Sequence, residues 1–176
     1  RKIHLPGTRD PIGDPEFEHL EKRYFEVGNL GFPSFATPSG RFGMCICNDR
    51  RWPETWRSLG MRGVELVMLG YNTPSWNGLG GPDTPELRMH HSRLSMQAGA
   101  YQNGCWVVGV AKAGYEDGVH MMGSSAIVTP NGEIAAFGSF LPFHSFGNVY
   151  TNGTDVVQST FVKLLKLMFG AHFFST

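Results

Sequence analysis

The residues best equipped for chemistry sit in "MCICNDRRWPE", residues 44–54. Cys45 and Cys47 end an apolar run, and Asn48, Asp49, Arg50 and Arg51 follow at once. A cysteine attacks as its thiolate, and nearby positive charge favours that form. Arg50 and Arg51 supply such charge. A strand-to-helix turn would lift Cys47 toward the carboxyl ends of the strands, where α/β sheets bind ligands. The unpaired N–H groups of the helix's first turn would favour the same negative sulfur. The pattern suits covalent catalysis, and an inert buried thiol is the alternative that spacing leaves open. Cys45 faces the same side two residues earlier and reads as core. A metal site built from C-x-C with His90 and His91 departs from the usual C-x₂₋₄-C zinc spacing, so no metal and no other cofactor is expected.

These residues need elements to position them. In "RFGMCIC", Phe42, Met44 and Ile46 alternate with Gly43, Cys45 and Cys47, the period of a strand. "DRRWPETWRSLGMRG" predicts one helix over 49–63, capped by Asn48 or Asp49, with Pro53 in its first turn and Gly63 closing it. "VELVMLG" is a nearly continuous apolar run, as in a strand covered on both faces, and "YNTPSWNGLGGPD" is a loop. A second helix starts at the cap Thr84 and Pro85, with Leu87, His91, Leu94, Ala98 and Tyr101 as its apolar stripe. On that stripe His91 reads as a core histidine. "CWVVGVAKAG" and "SSAIVTP" predict strands, and "TPNGEIAAFG" a hairpin with Asn131-Gly132 at its tip. Residues 5–40, rich in Pro, Gly and charge, read as a long ordered loop region with short pieces of structure. The order of elements gives an α/β layered fold with a largely buried sheet.

Composition narrows the class. The 176 residues carry 15 Lys+Arg against 15 Asp+Glu, with 41% hydrophobic residues. This is an ordinary globular balance, with no general pull toward nucleic acid or membrane. Three cysteines do not make a disulfide framework and point to a reducing, cytoplasmic compartment. There is no targeting pattern and no long uncharged apolar stretch. The chain opens on "RKIHLPG" without an initiator Met, so a fragment or processed chain is expected.

"GFPSF", "RFGMCICNDRRWPETWR", "GYNTP" and "HHSRLSMQAGAYQNGCWVV" together resemble the nitrilase (carbon–nitrogen hydrolase) superfamily, most closely its N-carbamoyl-D-amino acid amidohydrolase branch. The resemblance runs from Arg1 to about Ala136. It implies a partial α-β-β-α sandwich and hydrolysis of a C–N bond through a Glu–Lys–Cys triad. It places the nucleophile at Cys47, the lysine at Lys2 and an additional active-site glutamate at Glu21. It further implies that His4 and His19 lie near the pocket, that Arg50 and Arg51 hold a substrate carboxylate, and that Asn48, Asn72 and Thr73 line the pocket. By spacing alone Lys2 reads as a solvated terminal residue, Glu21 as part of an exposed charged face, and the arginine pair as surface charge. In the implied chemistry Cys47 attacks a ureido carbonyl, and Lys2 with the backbone N–H of Asn48 holds the oxyanion. An N-carbamoyl amino acid is then the small-molecule substrate, and the full-length protein is expected to be a homo-oligomer.

Two departures from the family matter. Its first glutamate, the general base, falls upstream of Arg1, so little hydrolase activity and an exposed apolar sheet face are expected of these residues alone. Residues 1–138 form the expected hydrolase domain. Residues 139–176, crowded with Phe and carrying one acid, Asp155, match nothing in the family. A shifted reading frame, an unspliced segment or a disordered tail is expected there. Two rivals remain: another carbon–nitrogen hydrolase, β-ureidopropionase-like or amidase, and a non-catalytic remnant that only associates with other subunits.

Overall fold

The computed structural model describes residues 1–13, 18–76 and 83–138. The expectations for 139–176 lie outside these residues. Eight strands and three α-helices follow in the order α1 (Glu21–Tyr24), β1 (Ser34–Thr37), β2 (Gly40–Ile46), α2 (Pro53–Met61), β3 (Leu66–Tyr71), α3 (Pro85–Asn103), β4 (Trp106–Ala111), β5 (Ala113–Glu116), β6 (Val119–Met122), β7 (Ser125–Val128) and β8 (Ile134–Gly138) among the described residues.

Six strands make one mixed sheet in the order β1-β2-β3-β4-β7-β8. β2, β3 and β4 run parallel, joined through α2 and α3, while β1, β7 and β8 pair antiparallel around them. Parallel neighbours need crossovers, and the two amphipathic segments supply them. The expected hairpin forms on Asn131-Gly132, with Gly132 N–H donating to Thr129 O at 2.9 Å.

The main cluster of buried side chains lies on one face of the sheet. Cys45, Val67, Leu69, Val107, Ala126 and Val128 point there and meet Trp56 and Leu59 of α2 and Met96 and Ala100 of α3. On the other face Ile46, Gly70 and Val110 share one row. Phe35, Met44, Ile46 and Val110 stay 49%, 54%, 44% and 42% exposed. Leu66 of β3, with Val108 and Ile127 beside it, is buried on this second face too, so the apolar run of β3 is covered on both faces at its start and opens only toward Gly70.

Three elements differ from the sequence-based expectation. The helix expected over 49–63 breaks in two: a 3₁₀ turn spans Cys47–Arg51 and α2 begins at Pro53. Proline disfavours helical geometry in the residue before it, and Trp52 is extended at φ −109°, ψ 123°. The expected strand over 105–114 ends at Ala111, and a separate β5–β6 hairpin turns at Asp117-Gly118, both at positive φ. α3 does start on its Thr84 cap, whose side chain accepts from Leu87 N–H at 3.2 Å, but it turns a different face inward. Arg88, Ser92, Met96, Gly99 and Ala100 are buried, whereas Leu87, Leu94 and Tyr101 are exposed, as is His91. Small residues win that face because Trp56 lies against it: a Cβ on Gly99 would fall 2.2 Å from Trp56 Cδ2.

Candidate active site

β2 is central and parallel to β3, so its carboxyl end delivers Cys47 to the edge of the core. Strand geometry stops at Ile46, and Cys47 itself opens the 3₁₀ turn at φ +50°. A positive φ is uncommon for a residue with a Cβ, and its partners hold it there. Arg50 Nη1 donates to Cys47 O at 2.7 Å, turning that carbonyl inward. The thiol lies 3.9 Å from Asn72 O and 4.0 Å from Asn72 Oδ1, at the end of the neighbouring strand. The α-helix begins only at Pro53, so the first-turn N–H groups expected beside the sulfur are not those of an α-helix.

Positive charge comes instead from Arg50. Its side chain is 1% exposed and lies under the turn. Besides Cys47 O it donates through Nη2 to Thr73 Oγ1 at 3.0 Å and Ser92 Oγ at 3.2 Å, and it stacks 4.2 Å from the Tyr71 ring centroid. Burial lowers the Arg50 guanidinium from its ordinary value, and the charge of Cys47 opposes that shift. Burial likewise raises the Tyr71 phenol, with Arg50 opposing. Thr73 is buried as the partner of Arg50, and Asn72 is exposed. Arg51, the next residue, is exposed.

Lys2 and Glu21, nineteen residues apart, meet in an ion pair: Lys2 Nζ lies 2.8 Å from Oε1 and 2.6 Å from Oε2. Both are largely covered, at 11% and 29% side-chain exposure. Loop contacts bring them together. Thr8 N–H donates to His19 O at 3.2 Å and Gly28 N–H to Lys2 O at 2.8 Å. Gly7, at φ +76°, must be glycine here, because a Cβ would fall 1.6 Å from His19 O. His19 is half-buried beside Glu21. Burial lowers its imidazole, Glu21 opposes, and Arg88, Lys2 and Arg51 act in the same direction as burial.

The segment carrying Lys2 is tied to the turn carrying Cys47. Asn48 Nδ2 donates to His4 O at 3.0 Å. Asp49, 1% exposed, accepts from the backbone N–H of Ile3 at 3.1 Å and of His4 at 2.7 Å. His4 stacks between Phe32 and Trp52, and its Nδ1 lies 3.2 Å from Asp49 Oδ1. A cavity of about 290 Å³ opens beside His4, with Asn48, Trp52, Ile3 and Phe25 in its wall. Cys47 is not in that wall, so the cavity adjoins Cys47 through Asn48 rather than containing it.

Lys2, Glu21, His4, His19, Cys47, Asn48, Arg50, Arg51, Asn72 and Thr73 are the site residues expected from the sequence. The structure sets Lys2 against Glu21, Cys47 against Asn72, and Arg50 against Thr73. It places Arg50 beneath Cys47, where Nη1 and Nη2 donate to protein oxygens and the buried Nε has no hydrogen-bond partner among the described residues. Asp49 went unassigned as a site residue, although an acid two positions after a candidate nucleophile was the available signal. No group of three or more His, Cys, Asp or Glu side chains suited to a metal occurs among the described residues.

A cysteine at positive φ thus follows a parallel strand of an α/β sheet, and the segment carrying the Lys2–Glu21 pair is hydrogen-bonded to its turn. Residues 1–141 match the carbon–nitrogen hydrolase family, and the chain belongs to that family. It is 29% identical over 136 residues to a nitrilase of Pyrococcus abyssi, covering 76% of this chain and 47% of the relative. It is 31% identical over 148 residues to N-carbamoylputrescine amidase of Arabidopsis thaliana, covering 77% and 44%. Among solved structures, a carbon–nitrogen hydrolase from Helicobacter pylori G27 superposes with a TM-score of 0.67 at 24% identity, covering 79% of this chain and 47% of that one. An amidase from Nesterenkonia sp. AN1, solved with the acetamide moiety of fluoroacetamide added covalently at its active-site cysteine, gives 0.62 at 22%, covering 79% and 44%. The chain thus spans about half the length of the relatives it matches. No helix among the described residues is long and apolar enough to cross a membrane.

Proposed function

We propose that these residues carry the nucleophile of an enzyme cleaving N-carbamoyl-D-amino acids to the D-amino acid, carbon dioxide and ammonia. The observation that carries this reading is the Lys2–Glu21 pair on a segment bonded to the Cys47 turn. In the proposed reaction Cys47 Sγ bonds to the ureido carbon. The carbonyl oxygen takes the negative charge beside the Lys2 ammonium and the Asn48 N–H. The carbon–nitrogen bond to the amino acid breaks, and the departing amine takes a proton from a general acid. Water then cleaves the carbamoyl thioester, restoring the thiol and releasing carbamate, which decomposes to carbon dioxide and ammonia.

Arg51, exposed one residue beyond the buried Arg50, is the guanidinium free to grip an α-carboxylate in a bidentate fork. The relative named N-carbamoylputrescine amidase favours a carbamoyl substrate in general. The relative named deaminated glutathione amidase, in mouse, favours the second reading, an amidase. The polypeptide carrying these residues is assayed on an N-carbamoyl-D-amino acid and on an uncharged amide, with and without Arg51→Ala. The first reading expects KM to rise about tenfold or more for the carbamoyl amino acid alone, the loss of a charge-assisted bond. Turnover of the amide only, indifferent to Arg51, selects the second. Cytoplasmic location and homo-oligomeric assembly belong to the same proposal.

A further inference from the structure

Asp49 is a buried carboxylate with no Lys or Arg pairing with it among the described residues. Burying such a charge is costly unless hydrogen bonds replace the lost water. Three backbone N–H groups do so here, and they come from two directions. Oδ1 takes Ile3 N–H at 3.1 Å and His4 N–H at 2.7 Å, with His4 Nδ1 also at 3.2 Å. Oδ2 takes Ile46 N–H at 3.0 Å. Ile3 follows Lys2, and Ile46 precedes Cys47.

We infer that Asp49 is a positioning residue, whose two carboxylate oxygens fix the register of the Lys2 segment against the Cys47 turn. The inference rests on the hydrolase reading for its kinetic consequence, but not for its geometry. A carboxylate alone fits the place, because each oxygen must accept and neither can donate. An asparagine keeps one acceptor and sets an NH₂ against an N–H on the other side, so one of the two segments is released. Asn48 adds a parallel tie at His4 O, which leaves the released segment nearby rather than detached. The expected outcome is therefore misplacement on the order of an ångström, a displacement that can cost about 10²-fold in rate.

Asp49→Asn, Lys2→Met and the double variant are compared with the parent polypeptide in kcat, KM and amide hydrogen exchange at Ile3, His4 and Ile46. Asp49→Asn should lower kcat by about 10²-fold with KM changed less than about threefold. Once Lys2 is already Met, adding Asp49→Asn should cost less than about threefold, since coupled residues are not additive. Exchange should quicken at least about tenfold at the amides on one side of Asp49. Equal losses in both backgrounds would make Asp49 merely structural and overturn the inference, as would unchanged exchange. If the parent hydrolyses neither ureides nor amides, the functional reading falls, and exchange in Asp49→Asn alone decides this one. Should Asp49→Asn fail to fold, Asp49→Ser, which keeps a single acceptor, takes its place. In the parent itself the three amides must be protected like those of β3, and exchange at the rate of free peptide would refute the staple outright.

Discussion

Replacing Arg50 by Met removes a cation that the fold holds in place on four sides. The variant loses donors to Cys47 O at 2.7 Å, Thr73 Oγ1 at 3.0 Å and Ser92 Oγ at 3.2 Å, and the contact over Tyr71 at 4.2 Å. Hydrogen bonds from a charged donor are worth roughly 1.5–3 kcal/mol each, and a desolvated cation–π contact about 2 kcal/mol. Against that, removing a buried cation returns several kcal/mol, roughly, of desolvation. The net loss is on the order of 3 kcal/mol, or about 6–12 °C in Tm for a chain of this size. Thermal unfolding followed by circular dichroism reads it. Cys47 should also lose the conformation its carbonyl bond imposes, so kcat should fall with Tm. Arg50→Lys keeps the charge but cannot span three acceptors, and should recover less than half of the loss. A Tm unchanged in Arg50→Met, with only KM raised, would refute this reasoning and return Arg50 to the substrate carboxylate.

The three cysteines should separate in native alkylation with iodoacetamide at about pH 8. Burial pushes Cys45 up to about 12 and Cys105 to about 11, so Cys47 should be modified and the other two spared, as read by peptide mass. Comparable labelling of Cys45 would contradict the packing of β2 against the helices. Gly99→Ala would ordinarily gain about 1 kcal/mol in a helix interior. With Trp56 2.2 Å from the new Cβ it should instead lose roughly 1–3 kcal/mol, measured by urea unfolding. Because His19 titrates below its ordinary 6.5, the folded state binds fewer protons than the unfolded one. Its stabilising contribution is complete above pH 6.5 and is lost as pH falls through that value toward the folded one. His19→Gln should flatten the slope of urea midpoint against pH there, and an unchanged slope would assign it elsewhere.

Local patterns made much of the scaffold legible. The alternation of "RFGMCIC" set β2, Thr84 set the start of α3, and Asn131-Gly132 set the last hairpin, because each signal is carried by neighbours in sequence. Pro53 both opens α2 and keeps Trp52 extended, and that second restraint, which the apolar period does not carry, separates the 3₁₀ turn at Cys47–Arg51 from the helix. Asp117-Gly118 carries the same kind of turn signal as Asn131-Gly132, but it falls between the two expected strands, in residues 115–123, where no element is expected. The packed face of α3 could not be read from hydrophobicity. Its smallest residue is there for Trp56, and its buried Arg88 and Ser92 are satisfied by Pro74 O, Asp83 and Arg50.

The site divides in the same way. Cys47 stands out in the sequence by its polar sequel, and the family resemblance points to Lys2 and Glu21, whose pairing the structure supplies. The roles of Asp49 and Arg50 were not legible. Charged residues in a polar stretch read as solvated, and what buries these two are partners 23 to 46 positions away. Buried charges of this kind follow from tertiary contacts that no window of sequence contains.

The most direct test of the hydrolase account is the chemical state of Cys47 during turnover. The polypeptide is mixed with an N-carbamoyl-D-amino acid, quenched in acid within the first turnover and digested, and the peptide bearing Cys47 is weighed. The account predicts one carbamoyl group on that sulfur, formed as the free amino acid appears and absent in Cys47→Ala. Undiminished hydrolysis by Cys47→Ala, or a carbamoyl group found on another residue, would contradict it.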